Sequence, residues 1–119
     1  ALVIAKFLKQ KREGMPMTIT GTGEATRDFV HVRDIVRANI LAMESDKVGK
    51  GESINIGGGY ERSVLEIAQM LGGEYVHIEP RIEPMRSLAD ITLAKELLGW
   101  EPEGNFEKGI EELRQLAGL

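Results

Sequence analysis

The sequence contains no cysteine, which excludes a disulfide framework and a thiolate metal site. It has no long run of lysine or arginine, and its formal net charge is −4. Nothing in it points to nucleic acid or to an anionic membrane surface. No apolar run approaches the ~20 residues that span a bilayer, and no charged leader with a cleavage site precedes the first apolar stripe, which argues against a signal peptide. There is no Walker loop, no nucleophile elbow and no His or carboxylate cluster at metal-ligand spacing. These absences are compatible with a cytoplasmic protein that does no disulfide, nucleic-acid or membrane chemistry.

What is present reads as an ordinary globular chain. Its 119 residues, 42% apolar and 29% charged, suit one domain and are too few for two. The chain opens on Ala1 inside an amphipathic pattern carried by Leu2, Val3, Ala5, Phe7 and Leu8. The expectation is therefore a partial chain, the alternative being removal of a Met before Ala1. The pattern predicts a helix over 1–12, ended by Gly14 and Pro16, and a short strand over 17–20. A glycine turn over 21–24 leads to a second strand over 29–32. Asp34 is placed as the N-cap of a helix that reaches Met43. A short apolar strand over 53–56 runs into Gly57-Gly58-Gly59. Ser63 with Glu66 makes a capping box for a helix over 64–71, and 75–78 alternate as a strand. After a loop over 79–89, Asp90 or Thr92 caps a short helix to Leu98. A last helix covers 106–116, with Trp100 placed between the final two. Interleaved helices and strands indicate the α/β class, with strands too few and short for a self-sufficient doubly wound sheet.

Three loops gather polar groups. In Gly21-Thr22-Gly23-Glu24-Ala25-Thr26-Arg27-Asp28, glycine lets a ligand approach closely and Arg27 offers a planar fork that matches phosphate. From these residues alone, a plain turn with a solvated arginine is the better reading. Asn55-Ile56-Gly57-Gly58-Gly59-Tyr60 is a glycine loop after an expected strand, but it is not the dinucleotide fingerprint, and a simple connection is the better reading. In Pro80-Arg81-Ile82-Glu83-Pro84-Met85-Arg86-Ser87, two arginines on a proline-stiffened loop suit a diphosphate clamp, with a solvated loop as the alternative. His31 and His77 sit in apolar alternation and read as structural.

Taken in order, four stretches carry a family resemblance. They are Gly21-Thr22-Gly23 with Arg27-Asp28-Phe29-Val30-His31-Val32 and Asp34, then Ile54-Asn55-Ile56-Gly57 with Ser63-Val64. Ser87-Leu88-Ala89-Asp90 with Ala94-Lys95 follows, and Leu97-Leu98-Gly99-Trp100 with Pro102 closes the set. The chain resembles the extended short-chain dehydrogenase/reductases, in particular their UDP-glucose 4-epimerase branch, over nearly its whole length. The resemblance implies a small carboxy-terminal substrate-binding subdomain of a Rossmann-type enzyme. It implies that Arg27 and Arg81 contact the diphosphate of a UDP-sugar, that Glu83 holds the ribose, and that Met17 and Thr20 border the base. The 79–89 loop is about one residue shorter than the family pattern and lacks its glycine, which makes Arg86 a competing phosphate ligand.

The same resemblance places the NAD-binding loop and a Tyr-x-x-x-Lys pair upstream. Here Val64 follows Tyr60 by four residues and Glu79 follows Tyr75, so the pair is absent and this segment alone is expected to be inactive. NAD is the implied cofactor, a UDP-sugar the implied partner, and a homodimer the implied state of the intact enzyme. A nucleotide-sugar 4,6-dehydratase, a UDP-glucuronate decarboxylase or a stand-alone binding module are the alternatives.

Overall fold

A computed structural model describes residues 2–119. Its elements are α1 (Val3–Arg12), β1 (Met17–Thr20), β2 (Thr26–Asp28), α2 (Val32–Glu44), β3 (Glu61–Ser63), α3 (Val64–Leu71), β4 (Tyr75–Ile78), α4 (Thr92–Leu98) and α5 (Phe106–Leu116). The class is α/β, as the patterning predicts. The strands form two two-stranded sheets rather than one: β1 pairs with β4 in parallel, and β2 pairs with β3 antiparallel. The radius of gyration is 16.5 Å, against about 13.5 Å for a compact domain of this length, so the chain is drawn out.

Local signals explain most of the helices. Ser63 Oγ accepts from the Glu66 amide at 3.1 Å while Glu66 Oε2 accepts from the Ser63 amide at 2.6 Å, a complete capping box for α3. Asn105 caps α5 through the Lys108 amide. Gly99 closes α4 in the left-handed conformation. Asp90 Oδ1 accepts from the Thr92 amide and hydroxyl just ahead of α4, but the cap position is Ile91, so neither Asp90 nor Thr92 is the N-cap expected there.

Several expectations need correction. The strand expected over 29–32 is not there. The ladder lies three residues earlier, where Thr26–Asp28 pairs with Glu61–Ser63, and both of those runs are polar, so alternation of apolar residues could not reveal them. The N-cap of α2 is His31, whose Nδ1 accepts from the Arg33 amide at 3.1 Å. Asp34 sits inside α2 and is buried, at 5% exposure. Residues 53–56 form no ladder among the described residues; Ile54 and Ile56 instead pack beside Trp100.

Two cores result. The larger joins α1, β1, α3 and α5 through Phe7, Met17, Ile19, Ile67, Ala68, Leu71 and Ile110. The smaller joins α2 and α4 through Ala38, Ala94 and Trp100. Trp100 therefore bridges α2 and α4 rather than the last two helices. Its indole N–H donates to the Asp34 carbonyl at 2.9 Å, which satisfies the one polar atom that its burial would otherwise strand.

Candidate functional site

A cleft of about 830 Å³ opens along the edge of the larger core, between α1, β1, β2 and the 79–89 loop. Its walls include Ile4, Leu8, Phe29 and Val64, and its polar lining comes from Lys6, Thr18, Thr20, Arg27, Asp28, Arg81 and Glu83. Four of the residues singled out from the sequence (Thr20, Arg27, Arg81 and Glu83) thus meet in one place. Three cations and two carboxylates line a cleft in a chain of net charge −4, so the local balance is positive where the whole is negative.

Geometry explains the convergence. β1 and β4 run in parallel with Thr20 opposite Ile78, which delivers the 79–89 loop to the end of β1. The Thr26 amide then donates to the Met85 carbonyl at 2.8 Å. Arg27 Nη1 donates to the carbonyls of Thr26 at 2.6 Å and Pro84 at 2.7 Å. Arg27 Nη2 reaches Glu83 Oε2 at 3.4 Å, and Arg81 Nε reaches the same oxygen at 3.3 Å. A single carboxylate therefore sits between two guanidinium groups. The Arg27 and Glu83 side chains are 28% and 21% exposed, whereas Arg81 is 71% exposed. Part of Arg27's donor fork is spent on the carbonyls of Thr26 and Pro84, which holds the group in place.

The structure separates the remaining expectations. Met17 is fully buried in the larger core, because its strand position points it inward with Ile19. It does not line the cleft. Arg86 lies outside the cleft: its Nε donates to both oxygens of Glu61, at 2.9 and 2.7 Å. That contact holds the Glu61 carboxyl below its usual range and raises the guanidinium. Lys6 and Thr18 line the cleft without having been singled out. Lys6 Nζ donates to the Thr18 carbonyl at 3.3 Å, and the Gln10 side-chain amide bonds the Thr18 hydroxyl and amide. The only signal for Lys6 was its phase on α1, which does not distinguish a cleft from solvent.

The glycine loop holds no dinucleotide site. A Cβ on Gly57 would meet Asp28 Oδ2 at 2.3 Å and Ala89 Cβ at 2.6 Å, and one on Gly58 would meet the Phe29 carbonyl oxygen at 2.2 Å. The space beside these glycines is filled by Asp28 and its neighbours, and the helix begins only at Val64. The residues present do not fit NAD. A second, mainly apolar hollow of about 500 Å³ lies near His31, Phe106 and Leu116. It carries neither of the loop arginines.

Comparison with known proteins is consistent along the chain. Residues 1–113 match the family described as GDP-mannose 4,6 dehydratase. The chain is 36% identical over 118 residues to a putative UDP-glucose 4-epimerase of Methanocaldococcus jannaschii, covering 93% of this chain and 37% of that protein. It is 33% identical over 117 residues to UDP-glucuronic acid decarboxylase 1 of Xenopus tropicalis, covering 92% of this chain and 27% of the relative. Among solved structures, it superimposes on the UDP-glucose 4-epimerase of Thermotoga maritima with UDP-glucose, with a TM-score of 0.80 and 38% identity, over 98% of this chain and 40% of that one. The UDP-glucuronic acid 4-epimerase of Bacillus cereus, in complex with UDP-glucuronic acid and NAD, gives a TM-score of 0.85 and 31% identity with the same coverage. The chain thus spans 27% to 40% of the length of these relatives.

Proposed function

This chain belongs to the GDP-mannose 4,6 dehydratase family, and from that premise we propose that it is the carboxy-terminal portion of an NAD-dependent UDP-sugar 4-epimerase that grips the nucleotide diphosphate. The observation that carries this reading is the meeting of Arg27 and Arg81 at the mouth of one positively balanced cleft, with Thr20 on its wall. Two guanidinium groups on separate segments match a diphosphate, which offers acceptors on both phosphates, better than they match a single carboxylate. Glu83, now between them, is released to a ribose hydroxyl when the diphosphate takes its place. Thr20 borders the base.

Chemistry on the sugar lies with polypeptide outside this chain. No Tyr-x-x-x-Lys pair exists in it, and its glycine loop does not fit NAD. Two further features support joining to more polypeptide. Val32, Val36, Ile40 and Met43 form one stripe of α2 and are 66%, 51%, 45% and 79% exposed, and exposed apolar patches of this kind mark contact surfaces. The apolar run 53–56 has no strand partner among the described residues.

A decarboxylase or a 4,6-dehydratase is the second reading, favoured by the likeness to UDP-glucuronic acid decarboxylases. The experiment is to titrate the full-length protein with UDP and to incubate it with NAD and UDP-glucose or UDP-glucuronic acid. Binding of UDP with conversion to the 4-epimer is the expected result. Release of CO2 from UDP-glucuronic acid would move the protein to the second reading. Failure to bind UDP would remove the proposal altogether. The isolated chain should turn over neither sugar nucleotide.

A further inference from the structure

The Asp28 carboxylate accepts two backbone hydrogen bonds from two distant loops: the Gly58 amide donates to Oδ1 at 2.6 Å, and the Ala89 amide donates to Oδ2 at 3.1 Å. Its neighbour Arg27 reaches toward Pro84 and Glu83. The 79–89 loop is therefore stitched to β2 at three successive residues: the Thr26 amide holds Met85, the Arg27 side chain holds Pro84, and the Asp28 side chain holds Ala89. The first two stitches sit at the middle of the loop. Among the described residues, Asp28 alone holds its far end at Ala89 by a hydrogen bond and ties that end to the glycine loop at Gly58.

The glycines complete the fit. With side chains at 57 and 58, the chain could not approach Asp28 this closely. The glycine triplet thus receives a carboxylate of the chain itself. A carboxylate is required by the donor pattern: both partners are N–H groups, and an aspartate carries acceptors only, whereas a carboxamide would turn an NH2 toward one of them.

We infer that Asp28 is a positioning residue for diphosphate recognition, fixing the 79–89 loop so that Arg81 and Arg27 address the same anion. This inference rests on the proposed UDP-sugar reading. Asp28 lines the cleft, but its two oxygens are taken by the Gly58 and Ala89 amides, so it acts through the loop, and its effect falls on the diphosphate and spares the nucleoside.

The test is calorimetric titration of the full-length protein and its Asp28→Asn variant with UDP and, separately, with uridine. The expected result is UDP affinity lowered at least about tenfold and uridine affinity changed less than about twofold, the size set by one lost charge-assisted hydrogen bond. Equal weakening of both ligands would reduce Asp28 to a structural residue and overturn the inference, as would unchanged UDP affinity. Wild-type protein that fails to prefer UDP over uridine would instead defeat the underlying reading. If Asp28→Asn does not fold, amide exchange in the wild type decides the matter. UDP should slow exchange at Ala89 and Gly58 more than uridine does, and equal slowing by the two would overturn the inference.

Discussion

The region around Phe7 and the region around Trp100 are held together in different ways. The first buries seven apolar residues from four elements, so no single side chain carries it. The second buries three and adds a polar clamp. Asp34 Oδ1 accepts from the Glu103 amide at 3.0 Å and Oδ2 from the Gly104 amide at 2.9 Å. Arg37 bonds Asp34 Oδ1 and the Glu101 carbonyl, and lies 5.7 Å from the Trp100 ring centre. Where apolar area is short, a hydrogen-bonded carboxylate supplies the definition that packing supplies elsewhere. The cleft edge uses the same device with Asp28. One carboxylate thus secures the segment after α4, and the other secures the loop that presents Arg81.

This contrast can be broken in order of expected effect. Trp100→Ala should cost about 3–5 kcal/mol, read from urea unfolding, because Trp100 is fully buried in the region with little else. A loss no larger than that of an exposed substitution would show that the smaller core does not depend on it. Asp34→Ala should cost about 2–3 kcal/mol, since it leaves two amides without their charged acceptor.

The pH dependence of Asp34 sharpens the point. Burial pushes its carboxyl pKa up, but the Glu103 and Gly104 amides and Arg37 outweigh burial and hold it below the usual range. The folded state therefore favours the ionised form. The stabilisation is complete above the ordinary carboxylate range and is lost as pH falls through the lowered pKa. Asp34→Asn should shrink the loss of stability as pH falls below about 5, and an unchanged acid slope would remove Asp34 from the clamp. Glu61 and Asp90 are also held low, by Arg86 and by Thr92, so part of the slope should remain.

At the cleft the expected effects move from stability to binding. Arg27→Ala should weaken UDP by at least about 1.5 kcal/mol, or about tenfold, with a smaller change in unfolding. An unaltered affinity would put Arg27 outside the grip. Arg86→Ala should have the smallest effect. Its partner Glu61 is reached across solvent-exposed surface, where ion pairs contribute little, so UDP affinity and the urea midpoint should both stay within error. A clear loss of UDP affinity would return Arg86 to the cleft.

Local chemistry made much of this legible beforehand. The α3 capping box needs only residues three apart, so Ser63 and Glu66 identified it. The helical phase of α2 and α5, the αL glycine after α4 and the β1 and β4 runs are likewise short-range properties. Within the site, the residue pattern alone left Arg27 and Arg81 open to a solvated reading, and the family resemblance carried by the motifs around them marked them. Met17 and Arg86 were misplaced by the same locality: a strand residue's neighbours along the chain do not reveal which face is buried, and Arg86 found Glu61, 25 residues away.

The sequence by itself settled the α/β class, the helical segments and the α3 capping box, since each depends on contacts within a few residues. Only the tertiary structure decided that β2 pairs with β3, that Asp34 clamps residues 103 and 104, and that Asp28 joins residues 58 and 89. Those bonds close between polar groups 30 to 70 residues apart, and a donor's partner at that range is chosen by where the chain brings it, not by which residues flank it.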